Sequence, residues 1–166
     1  MATHLTKYFG EIDFERLEEW YETELELNGK TVEVSITVST KSKSLDKNDI
    51  QQVDDYVENL QSNEESIRLL IQEDFREKGE TKDYIDTQIE NQDKEDIADL
   101  IKAADKKLSK KEKLLSVLTL LRIVFYPEKE DKVFAVFDYT INEELTDDLL
   151  AVKLRKDKSV IIDIES

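Results

Sequence analysis

The chain has 166 residues, no cysteine, and 40 Asp and Glu against 24 Lys and Arg, a formal charge of −16. The length fits one domain spanning the whole chain, and the lack of Cys excludes disulfides, thiolate nucleophiles and Cys-ligated metals. The charge speaks against nucleic acid, whose phosphates require clustered cations, and for basic partners.

Tyr8 to Asp13 reads as a short first strand or an extended arm, and Phe14 to Glu19 as a connecting turn or helical turn. Met1 to Gly10 holds no apolar stretch, so no signal peptide is expected. Trp20 to Leu27 and Thr31 to Val38 then flank Asn28-Gly29, the dipeptide favoured by a two-residue type I′ turn. That turn sets a register in which Leu25 faces Val32, Thr23 faces Val34 and Tyr21 faces Ile36, a largely apolar face. The opposite face carries Glu24 against Glu33, Glu22 against Ser35 and Trp20 against Thr37.

After a polar loop over Lys41 to Ser44, helical spacing resumes. Ile50, Val53, Val57 and Leu60 predict a helix from about Asp46 to Leu60. Ser62-x-x-Glu65 has the form of a capping box for a second helix, with its stripe at Ile67, Leu70, Ile71 and Phe75 and Gly79 just past its end. Thr81 is placed to cap a third segment bearing Tyr84, Ile85 and Ile89. A fourth follows near Asp93 to Ala104, and Ser109 caps a fifth through Leu114, Leu115 and Leu118.

The chain returns to strands at Leu120 to Tyr126 and Val133 to Ile141, apolar almost throughout, as in central strands covered on both faces. Asp147 to Arg155 and Ser159 to Ile164 form a last pair around Lys156-Asp157-Lys158. Strands at both ends with helices between them predict an α+β fold. An N-terminal β-hairpin and a C-terminal β-meander make one mainly antiparallel sheet against four to five helices. No repeat or linker divides the chain. The longest apolar-rich run, Leu114 to Tyr126, is interrupted by Ser116, Thr119 and Arg122 and is too short to cross a bilayer, so a cytoplasmic protein without membrane contact is expected.

Motifs that carry chemistry are missing. Gly29-Lys30-Thr31 ends like a phosphate-binding loop, but position 24, where that motif needs Gly, is Glu. His4 is the sole histidine and reads as a solvated tail residue, which argues against a Ser–His–Asp triad or a His-based zinc site. Acidic clusters at Asp54, Asp55 and Glu58, at Asp93 to Asp99, and at Glu143 to Asp148 lack the spacing of a calcium loop. No metal, cofactor or catalytic residue is assigned. Asp138 interrupts an apolar strand, so it lies at the end of the sheet or has a buried hydrogen-bond partner.

The candidate site is the polar face of the hairpin. Trp20 projects beside Glu22, Glu24 and Glu33, an aromatic anchor among carboxylates that suits a Lys- or Arg-rich surface. The competing expectation is that Trp20 packs under Tyr8 to Asp13 or a helix, the glutamates merely solvating the sheet.

Tyr8-Phe9-Gly10-Glu11, the Glu24 to Lys30 hairpin, Ile123 to Pro127, and Phe137 to Ile141 followed by Glu144-Leu-Thr146 carry a resemblance. They look like a bacterial family of small acidic domains, catalogued as the domain of unknown function numbered two thousand and four. The resemblance implies an α+β fold in bacterial cytoplasm and brings no activity, cofactor or catalytic residue. It is also similar in character to small acidic immunity proteins, an analogy of type alone. The expected function is therefore a non-enzymatic protein-binding module, immunity-type or regulatory, that recognises a basic protein. The alternatives are a carboxylate-based or divalent-metal enzyme and a structural protein that self-associates.

Overall fold

The computed structural model describes residues 3–39, 41 and 44–166. Its elements are strands β1 (Thr3–Leu5), β2 (Glu11–Asp13), β3 (Trp20–Leu27) and β4 (Lys30–Thr37), helices α1 (Lys47–Glu58), α2 (Leu60–Arg76), α3 (Glu80–Asn91), α4 (Lys94–Ile101) and α5 (Lys110–Ser116), then strands β5 (Thr119–Phe125), β6 (Val133–Thr140), β7 (Leu149–Arg155) and β8 (Val160–Glu165). β3 to β8 form one sheet in chain order, antiparallel except where β4 lies parallel to β5. The fold is the α+β arrangement expected. The helices make the parallel joint possible: parallel neighbours need a long crossover, which the five helices between β4 and β5 supply.

The hairpin register agrees with its turn chemistry at every pair, from Leu27 opposite Lys30 to Trp20 opposite Thr37. Asn28 and Gly29 both have positive φ, 53° and 79°, as a type I′ turn requires. On the helix-facing side of the sheet, Val32, Val34, Ile36, Ile123, Phe125, Phe137, Tyr139, Leu150 and Val152 are buried. They share one core with Ile50, Val53, Ile67, Ile71, Tyr84, Ile85, Ile97 and Leu114 from the helices. Tyr56 meets Phe125, Phe134 and Phe137 edge-on with ring centroids 5.7, 5.6 and 6.1 Å away. Burial pushes its hydroxyl up to about 12.

Several local expectations are corrected. The N-terminal segment is a small two-stranded sheet, with His4 paired to Ile12 rather than lying in a tail. The Lys7 N–H donates to Asp54 Oδ2 at 2.8 Å and ties this sheet to α1. Of the loop expected over Lys41 to Ser44, residues 42 and 43 lie outside the described residues.

The Ser62 capping box does not form, because α2 already begins at Leu60 and Ser62 Oγ donates to the Asn59 carbonyl from within the helix. Asn59 Nδ2 and Asn63 Nδ2 instead donate to the Asp55 and Tyr56 carbonyls at 3.0 and 2.9 Å. Those bonds satisfy the end of α1 and let α2 follow without a loop. Real capping boxes stand at Asp46 with Asp49, and at Ser109 with Glu112 as its first residue implied.

Gly79 is also displaced from its expected role. Lys78 takes the left-handed position after α2, with φ 62°. The Gly79 N–H donates to Asp74 O and the Lys78 N–H to Phe75 O, the two bonds of a Schellman ending. Gly79 has an ordinary negative φ and is the N-cap of α3. Thr81 is not the cap: it is buried in the first turn, and its N–H donates to Asp74 Oδ2 at 2.8 Å.

Candidate functional site

Side chains of a sheet alternate between faces, so the even-numbered residues of β3 and odd-numbered residues of β4 share the face turned away from the helices. Trp20 is 49% exposed on that face, and its Nε1–H donates to Glu22 Oε2 at 3.0 Å. It does not pack beneath Tyr8 to Asp13 or a helix. Glu24 stands opposite Glu33, the like-charge pair the register implied.

The register carries this row across the whole sheet. Glu33 is level with Arg122, Arg122 with Asp138, Asp138 with Ala151, and Ala151 with Asp163. Arg122 Nε donates to Asp138 Oδ2 at 2.8 Å. Of the two sequence expectations for Asp138, the buried partner is the one realised. Burial raises its carboxyl above the ordinary value, while the hydrogen bond and charge of Arg122 pull it down. Asp138 Oδ1 is buried without a partner. Further along the face, Lys153 lies 3.2 Å from both Asp163 and Glu165.

A register shift between Leu120 and Arg122 inserts Leu121 as an extra residue in β5. Beside it the loop before β7 comes up against the hairpin. Together they form a shallow depression of about 490 Å³, whose charged lining is Glu24, Glu33, Arg122, Glu143 and Asp147. Its one cation is already bonded to Asp138. The depression is therefore net negative and open, shaped for extended cationic groups rather than for a small enclosed substrate.

All four expected residues, Trp20, Glu22, Glu24 and Glu33, lie on this one face. The sequence reading missed Arg122, Glu143 and Asp147, whose proximity depends on the β4–β5 joint. It also missed a buried carboxylate on the helical side. Glu64 is 1% exposed, and its Oε1 accepts from Arg68 Nε at 2.5 Å and from Tyr139 O–H at 3.2 Å. Its signal in sequence was an i,i+4 Glu–Arg pair, indistinguishable from a surface pair.

Outside the depression, several carboxylates of the acidic clusters serve local structure. Glu58 accepts from Lys7 and Tyr8, Asp55 from Gln51, and Asp148 from Gln88 and Ser166. Among the described residues, no group of three or more His, Asp or Glu side chains converges tightly enough to hold a metal ion. Among the same residues, no helix is long and apolar enough to cross a membrane. No family model, curated protein or solved structure matches the chain.

Proposed function

We propose that the chain is a non-enzymatic protein-binding module of the bacterial cytoplasm, immunity-type or regulatory, that recognises a basic partner through the open face of its sheet. The observation that carries this reading is the exposed Trp20 set among Glu22, Glu24 and Glu33, beside a depression whose only cation is neutralised within the protein. The carboxylates steer a positively charged partner at long range, and the indole supplies buried area once contact is made. The resemblance to small acidic bacterial domains and the analogy with immunity proteins supply its biological setting.

Capture of partners on the immobilised protein at low and high salt tests the reading. Retention of a basic protein that weakens with ionic strength, and falls when Glu22, Glu24 and Glu33 become Gln, supports it. Retention indifferent to salt and to those substitutions overturns it.

A further inference from the structure

β3 is an outer strand: β4 pairs with one side, and among the described residues no strand pairs with the other. The two-residue turn decides which backbone groups are left over. Leu27 and Lys30 flank the turn and exchange hydrogen bonds, and every second pair beyond them does the same. The Val38 N–H donates to Glu19 O at 3.0 Å, which continues that parity past the end of the strands. The N–H and C=O of Glu22, Glu24 and Glu26 therefore point outward, away from β4. Trp20 apart, the residues of β3 with outward backbone groups are the residues with carboxylates.

Such an edge is selective. A second copy pairing antiparallel through β3 sets glutamates against glutamates, and parallel pairing with β8, which keeps the two sheet faces in line, sets them against Asp163 and Glu165. Like charges directly opposite one another disfavour both arrangements, so the edge is guarded against its own kind. On the helix-facing side of β3, Thr23 and Leu25 are only half-buried, so a further strand would cover more of them.

We propose that β3 accepts an extended basic segment of a partner as an added antiparallel strand. Lys or Arg of that segment stands opposite Glu22, Glu24 and Glu26, and β-branched or apolar residues between them cover Thr23 and Leu25. This rests on the reading of the open face as a surface for basic partners, and gives it a mode of contact. In the hydrogen-bonded pairs so formed, each cationic residue exchanges both backbone bonds with a glutamate and directs its side chain to the same face. Main-chain bonds supply affinity, and the alternation supplies specificity.

The test titrates the ¹⁵N-labelled protein with a capped Lys-Val-Lys-Thr-Lys peptide and follows amide hydrogen exchange. The expected result is new protection at Glu22, Glu24 and Glu26, with Thr23 and Leu25, already bonded to β4, unchanged. Methylating the backbone nitrogens of the three lysines keeps every charge but removes the donors, and lowers affinity at least about tenfold. Glu24→Pro, at an outward-facing N–H, abolishes the new protection while the β3–β4 ladder persists.

Equal binding of the methylated peptide, or protection that appears without peptide as protein concentration rises, overturns strand addition. If both peptides bind equally and in a salt-dependent manner, the reading of the open face survives while strand addition falls. If polylysine at low salt also fails to bind, that reading falls too.

Discussion

Arg122 holds Asp138 across the β5–β6 pair at 2.8 Å, in a cross-sheet row that begins with Glu24 and Glu33 and ends at Asp163. Asp138 is 8% exposed, so its charge depends on that partner. Arg122→Met leaves the carboxylate uncompensated. A loss of about 1–3 kcal/mol is expected at neutral pH, below the figure for wholly buried pairs because the arginine side chain is 43% exposed. The pH dependence has a definite sign. The Asp138 carboxyl lies above its ordinary 3.8 in the folded protein, so the native state keeps the proton to higher pH than the unfolded chain. Its contribution to stability falls as pH rises from 3.8 through the folded value. Without Arg122 that fall deepens. Urea unfolding of both proteins between acid and neutral pH should show the difference growing with pH.

Trp20 is the sole tryptophan, so its fluorescence reports one place. Half-exposed among carboxylates, it is expected to be quenched readily by neutral acrylamide and by caesium, and poorly by iodide. The contrast between the two ions should shrink as salt screens the face. Equal quenching by both ions at low salt would show that the surrounding carboxylates create no local field.

Gly79 is required by a side chain, not by its own backbone. A Cβ there would lie 2.1 Å from Asp74 Oδ1, the carboxylate that caps α3. Gly79→Ala is expected to cost about 1–3 kcal/mol by overpacking. Asp74→Ala costs about 1 kcal/mol as a lost cap. In the double variant the clash is gone, so thermal melts should show the combined loss smaller than the sum of the two.

Arg68, Glu64 and Tyr139 behave as one unit. The Arg68 guanidinium sits 5.3 Å over the Tyr139 ring, and both residues donate to the same oxygen of Glu64. Burial, then the charge of Glu64, pushes the Tyr139 hydroxyl far above its ordinary value, so it remains a donor throughout the physiological range. Tyr139→Phe should cost about 1 kcal/mol and Arg68→Met about 3 kcal/mol. Tyr139→Phe should cost more in the Arg68→Met background, where its hydroxyl is the last donor. A double-mutant cycle by denaturant unfolding measures that coupling.

What the sequence made legible was local. Asn28-Gly29 and a period of two determine the β3–β4 register, because a slip of one residue would turn Leu25, Val32 and Ile36 to solvent. The same logic placed Trp20 and its glutamates on one face. Hidden features depended on partners distant in sequence. Glu33 meets Arg122 only through the parallel joint, and Asp74 caps α3 across a helix break. Lys129 also reaches Asp49 from the β5–β6 loop, beside a capping box that was not anticipated. β1 escaped notice because three residues are too few to show a period. Ser62-x-x-Glu65 misled because the same pattern occurs inside a helix that already begins at Leu60, directly after α1, whose last carbonyls are satisfied by asparagine amides.

The parallel joint between β4 and β5 also orders the folding reaction. β3–β4 and the β5–β8 meander are each made of neighbours in sequence and can form from short-range encounters. Their union closes a loop that contains all five helices, and its entropic cost must be met before any contact across the joint is gained. Pairing across the seam is therefore expected late in folding. The acidic face is split along that same seam, with Glu24 and Glu33 on one half and Arg122 and Asp138 on the other. Neither nascent half alone presents the full row, so a partner that needs all of it recognises only the finished molecule.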